Sequence, residues 1–152
     1  MTRDATIHAS AVLIGDTAIL IRGPSGSGKS HLAFELVLAA RAGQIPPCLL
    51  IGDDRVRLAR DGNAVMVHTG PALEGLIEIH GLGIRRIDFT PKGRVGLIVD
   101  LLSDDRQRMP EPAALMTELH GIPIPRILAG TADHALRLVF ATLLTQPYGE
   151  LR

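Results

Sequence analysis

Residues 23–30 read Gly23-Pro24-Ser25-Gly26-Ser27-Gly28-Lys29-Ser30, which meets the pattern G-x-x-x-x-G-K-[ST] at Gly23, Gly28, Lys29 and Ser30. A loop that wraps a polyphosphate turns its backbone N–H groups inward and brings the main chain close to the anion. Glycines at 23, 26 and 28 permit positive φ and carry no Cβ to obstruct that approach. Lys29 sets a compact positive charge against β- and γ-phosphates, and Ser30 offers a hydroxyl to Mg²⁺. Pro24, Ser25 and Ser27 complete the loop, so all eight residues are candidate nucleotide-binding positions.

The flanks supply the required order of strand, loop and helix. Ahead lies Thr17-Ala18-Ile19-Leu20-Ile21-Arg22, an apolar run of strand length. Behind, Leu32, Ala33, Leu36, Val37 and Ala40 recur on one helical face, with Gly43 placed to end the helix. The free N–H groups at the start of such a helix favour the same anion as the loop.

The chain has 152 residues, the length of one domain with a real core, and the expectation is one P-loop domain over residues 1–152. With 46% apolar residues but only 3% aromatic ones, the core is aliphatic and there is no Trp to stack a base. Sixteen basic residues balance sixteen acidic ones, and no basic block stands out, which argues against nucleic acid as a partner. The single Cys48 excludes an internal disulfide and reads as a buried strand residue. No apolar stretch approaches the roughly 20 residues of a membrane span, and no signal sequence is visible. These features predict a soluble, cytoplasmic protein without a membrane partner.

Elsewhere strands dominate. Residues 5–14 and 16–22 form two strands hinged at Gly15-Asp16. Residues 48–52 form a buried strand that runs into Asp53-Asp54, and 55–60 with 64–68 form a hairpin around Asp61-Gly62. Residues 76–80 and 84–89 are short strands around Gly81-Leu82-Gly83, and 95–101 is a strongly apolar strand. Residues 103–112 read as a polar, exposed loop. Pro123 and Pro125 favour an extended or edge segment within 113–128. Thr131 caps a final helix with Leu136, Val139, Phe140 and Leu143 inward. Few helices and many strands predict an α/β domain with a mixed sheet rather than a regular alternation.

A P-loop needs a second acidic element for Mg²⁺, usually at the end of an apolar strand. Asp53-Asp54 after Leu49-Leu50-Ile51-Gly52 is one candidate, and Asp100 after Val95-Gly96-Leu97-Ile98-Val99 is the other. Spacing alone does not choose between them. Adjacent carboxylates can divide labour, one positioning metal or water and the other taking a proton from a substrate hydroxyl. Glu78 alternates with isoleucines before Gly81-Leu82-Gly83, where the backbone can approach a ligand closely. The six histidines lack metal-ligand spacing, and Asp104-Asp105-Arg106-Gln107-Arg108 can supply an arginine to phosphoryl charge.

Four ordered segments together resemble the HPr kinase/phosphorylase family. They are Ile7-His8, the octapeptide with the following Leu-Ala-Phe-Glu-Leu-Val, Gly52-Asp53-Asp54-Arg55-Val56, and residues 77–88, read IEIHGLGIRRID. The resemblance covers residues 6–100 well and the rest weakly. It implies a P-loop domain of the phosphoenolpyruvate carboxykinase-like type. It also implies an ATP- and Mg²⁺-dependent kinase that phosphorylates a regulatory serine of the phosphocarrier protein HPr, in the phosphotransferase system.

Carried over by position, Asp54 is the proton acceptor, which settles the contest with Asp100. Asp53 supports it or the metal, Glu78 joins Ser30 on Mg²⁺, His8 is the active-site histidine, and Arg108, with Arg106 its rival, is the catalytic arginine. The family forms hexamers, so a homo-oligomer is implied. Ala9 stands where glycine is usual, His80 where arginine is, and extra residues surround Gln44 to Pro47. The chain resembles the short, catalytic-domain-only form of alphaproteobacteria. Residues 128–136 do not match the segment tied to phosphorolysis, so the resemblance implies kinase rather than phosphorylase activity.

Overall fold

A computed structural model describes residues 5–101 and 109–148. In chain order the strands are β1 (Ala5–Ile7), β2 (Ala9–Ile14) and β3 (Thr17–Arg22), followed by helix α1 (Lys29–Arg41). Then come β4 (Cys48–Gly52), β5 (Val56–Asp61), β6 (Ala64–His68), β7 (Leu76–Ile79), β8 (Gly83–Arg86) and β9 (Lys92–Leu101). The last elements are β10 (Met116–Leu119), β11 (Ile122–Ala129) and helix α2 (Ala132–Leu144). A nine-stranded sheet runs β1-β5-β6-β9-β3-β2-β4, with β11 joined to β9 and β10 to β11, while β7 and β8 form a separate pair. The expected mixed, strand-rich α/β architecture is the observed one.

Direction along the sheet decides where chemistry can sit. β3, β9 and β11 are mutually parallel through β9. β2 is antiparallel to both β3 and β4, so β4 points the same way as β3. The carboxyl ends of β3, β4, β9 and β11 therefore share one edge, and the amino end of β2 lies there too. Ligand sites of open α/β sheets form at that edge.

Side-chain alternation gives the sheet two apolar faces. Ile19 and Ile21 point toward α1 and α2, together with Leu32, Leu36, Val99 and Val139. Ala18 and Leu20 point the other way and pack with Val56, Leu58, Val67 and Ile98. Full burial of each large aliphatic residue stabilises the fold by roughly 1.5–3 kcal/mol. α1 ends as predicted at Gly43, whose φ of 77° belongs to the left-handed region. The Gly43 and Gln44 N–H groups donate to the Ala40 and Ala39 carbonyls, which closes the last turn.

Several boundaries differ from the sequence expectation. β9 begins at Lys92, not 95, because its first residues pair with β6 before its later ones pair with β3. The β5–β6 loop is Gly62-Asn63, since Asp61 already pairs with Ala64. β8 stops at Arg86, and Phe89 instead bridges to Leu50 of β4. In α2 the buried positions are Ala135 and Val139, while Leu143, expected inward, is 40% exposed. Of the expected polar loop, residues 103–108 lie outside the described residues.

Candidate active site

The loop between β3 and α1 takes the conformation its glycines allow. Gly26 and Gly28 have φ of 82° and 103°. At Gly23 a Cβ would stand 2.5 Å from the Ser27 hydroxyl and 3.1 Å from the Leu101 Cβ, so the close packing of the loop base demands glycine. Lys29 is buried, and its ammonium donates to the Gly23 carbonyl at 2.9 Å and the Pro24 carbonyl at 3.2 Å. Ser27 is buried as well, and its hydroxyl has no hydrogen-bond partner among the described residues.

Asp53 is the centre of a hydrogen-bond cluster. Its Oδ1 accepts from the Ser30 hydroxyl at 2.6 Å and the Ser10 hydroxyl at 2.7 Å, and its Oδ2 accepts from the Glu78 N–H at 2.9 Å. Gly52 makes this approach possible. A Cβ there would lie 2.8 Å from Val56 Cγ1 and 2.9 Å from Thr69 Cβ. Asp54 follows with φ of 64°, left-handed backbone that costs a non-glycine residue about 1–2 kcal/mol. Its N–H donates to the Ser10 hydroxyl at 3.1 Å.

These groups border a cavity of about 590 Å³ lined by Ser25, Gly26, Gly28, Lys29, Ser30, His31, Phe34, Asp54, Glu78, Ile79 and His80. Gly23, Pro24 and Ser27 form the base of the loop rather than the cavity wall. The structure thus gathers Lys29, Ser30, Asp53, Asp54 and Glu78 at one place. His8 is exposed in the break between β1 and β2, at the same sheet edge but not on the cavity wall. Arg106 and Arg108 lie outside the described residues.

Asp100 has a different environment. Arg22 holds it in a bidentate pair, Nε to Oδ1 at 2.7 Å and Nη2 to Oδ2 at 2.8 Å. Arg126 reaches Oδ2 at 3.4 Å. With both oxygens engaged by guanidinium groups, Asp100 ties the ends of β3, β9 and β11 together.

Ser10 escaped the sequence reading. Its signal is faint: one hydroxyl inside an otherwise apolar strand, two residues after His8. Arg22 and Arg126 were equally silent, because their partner lies 78 and 26 residues away in the chain.

The donor set suits a Mg²⁺–nucleotide. Magnesium takes oxygen ligands and is usually held by one or two carboxylates together with substrate phosphates and water. Ser30, Asp53 and Glu78 offer a hydroxyl and two carboxylates. Among the described residues no group of three or more His, Cys, Asp or Glu forms a dedicated metal cage. No described helix is long and apolar enough to cross a membrane.

The sheet edge, the glycine loop running into α1 and the Ser30–Asp53 bond define a P-loop phosphate-binding domain. A family model described as HPr Serine kinase C-terminal domain matches residues 1–122, and the chain belongs to that family. The HPr kinase/phosphorylase of Bordetella pertussis (strain Tohama I) is 30% identical over 139 residues, which cover 84% of this chain and 42% of that protein. That of Mycoplasma mycoides subsp. mycoides SC is 40% identical over 77 residues, covering 51% of this chain and 22% of that protein. The solved structure of the Hpr(Ser) kinase/phosphatase from Coxiella burnetii matches with a TM-score of 0.69 at 26% identity, covering 92% of this chain and 93% of that one. The chain spans less than half the length of these two curated relatives.

Proposed function

We propose that this chain is an ATP- and Mg²⁺-dependent protein kinase that phosphorylates a serine of HPr in the cytoplasm. The observation that carries this reading is the pairing at the cavity. The P-loop serine is bonded to Asp53, and the next carboxylate, Asp54, is turned by its left-handed backbone onto the cavity wall. One carboxylate faces the phosphate side and its neighbour is left for a hydroxyl substrate.

Ser30, Asp53 and Glu78 would hold Mg²⁺, which when bound neutralises charge on the β- and γ-phosphoryl oxygens. Gly26, Gly28 and Lys29 hold the polyphosphate through backbone N–H groups and the ammonium. Asp54 orients the serine hydroxyl and accepts its proton as the serine oxygen bonds to the γ-phosphorus and the bond to the ADP oxygen breaks. Positioning and charge neutralisation supply most of the rate, because the transition state is loose. By the family reading, His8 and an arginine at 108 or 106 complete the site, and the chain works as a homo-oligomer, with six subunits.

The test is transfer of the γ-phosphate of ATP to HPr, with an HPr serine-to-alanine control. Wild-type chain should label wild-type HPr alone. Asp54→Asn should lower transfer by roughly a thousandfold while ATP binding stays within a few-fold of wild type. Normal transfer by this variant would overturn the base assignment. Release of free phosphate without labelled HPr would identify an ATPase instead.

A further inference from the structure

We propose that Ser10 is a positioning residue that locks the two aspartates of the site together, a role that rests on the kinase reading of Asp54. β4 and β3 are not neighbours, because β2 lies between them. By ordinary strand spacing Asp53 is therefore roughly 10 Å across the sheet from the strand that carries the loop. Ser10 sits on the intervening strand, fully buried, at the edge where both strands end. Its hydroxyl has one hydrogen and two acceptor positions. The hydrogen goes to Asp53 Oδ1, beside the bond from Ser30, and an acceptor position takes the Asp54 N–H.

One side chain thus fixes the carboxylate on the phosphate side and the backbone of the carboxylate on the acceptor side. The second bond matters because Asp54 is one of two non-glycine residues with positive φ among those described, and an Asp left to itself prefers the right-handed or extended regions. With the hydroxyl gone, the Asp54 N–H has no partner and the peptide is free to turn. The Asp54 carboxylate would then leave the cavity wall, although the loop, Lys29 and Ser30 stay in place. Asp53 keeps its bonds from the Ser30 hydroxyl and the Glu78 N–H when the Ser10 hydroxyl is lost, so the loss acts through Asp54 and should fall on turnover, not on nucleotide binding.

The experiment compares S10A, S10T and wild type in three measurements: kcat and KM for HPr phosphorylation, nucleotide affinity, and hydrogen exchange at the Asp54 amide. S10A should lower kcat by roughly tenfold or more, leave ATP affinity and KM for HPr within about threefold, and speed exchange at Asp54. S10T, which restores the hydroxyl, should recover most of kcat and the slow exchange. If S10A does not fold, S10C takes its place, since the thiol fills the site but is a weak hydrogen-bond donor. An unchanged kcat overturns the proposal, as does unchanged Asp54 exchange beside a lowered kcat, which would make Ser10 a packing residue. Wild-type protein that labels no HPr overturns the kinase reading instead. The exchange rate then still decides whether Ser10 holds Asp54.

Discussion

Asp100 accepts from Arg22 twice and from Arg126 once, whereas Asp53 accepts only from two hydroxyls and an N–H among the described residues. A carboxylate already neutralised by two guanidinium groups has little left for a cation, while one held by neutral donors keeps its charge available. The two aspartates should therefore fail differently. Asp100→Asn leaves two partly buried arginines short of a counter-charge and should cost about 1–3 kcal/mol of stability, with nucleotide affinity changed only a few-fold. Asp53→Asn should keep stability within about 1 kcal/mol but weaken Mg²⁺-dependent nucleotide binding roughly tenfold or more. Urea denaturation and titration with a fluorescent nucleotide, each with and without Mg²⁺, would read both effects. Equal loss of nucleotide affinity in both variants would defeat the distinction. Spacing in the sequence could not make this choice, because both residues end an apolar strand; the arginines that decide it arrive from β3 and β11.

At the level of elements, what reached the sequence surface was whatever one segment decides alone. β3, the loop and α1 were legible because period, glycine and the Gly43 stop are local properties. The place of β11 was not. Its prolines lack the N–H that a ladder needs, and Pro123 and Pro125 fall in the half that pairs with β10. The parallel ladder to β9 begins at Arg126, the first residue beyond them. The expected edge strand is thus two half-strands in one: residues 122–125 pair with β10 alone and residues 126–129 with β9 alone. Gly52 is the equivalent case for the site. Nothing in the sequence separates it from any glycine after a strand, but its Cα is enclosed by Val56 and Thr69. Gly52→Ala should push the end of β4 outward and shift Asp53, costing about 1–3 kcal/mol in stability. Phosphate transfer should fall well beyond what that stability loss explains at a temperature where the variant is fully folded. Retained transfer in folded G52A would show that the approach of β4 is not what positions Asp53.

Across the whole molecule, the aliphatic core was readable from composition, and the sheet order was not, because pairings such as Ser10 with Asp53, 43 residues apart, are set only when distant strands meet. That core also holds a thiol whose burial couples to global stability. Cys48 opens β4 inside the helix-side cluster, and burial pushes its thiol from 9.0 up to about 12. The folded state thus keeps a proton that the unfolded state gives up above pH 9. Below pH 9 both states carry the proton and Cys48 adds no pH dependence. Between pH 9 and about 12 the unfolded state alone is deprotonated, so the stabilising contribution fades by about 1.4 kcal/mol per pH unit as pH rises. The measurement is a difference against Cys48→Ala, a variant that accepts a small cavity but has no thiol. Denaturant unfolding from pH 8 to 11 should show wild type losing stability more steeply than C48A above pH 9, and the two running parallel below it. The folded protein should also leave Cys48 unmodified by a thiol reagent at neutral pH, and react once denaturant is added. Parallel slopes up to pH 11 would mean that the thiol ionises as easily in the fold as outside it.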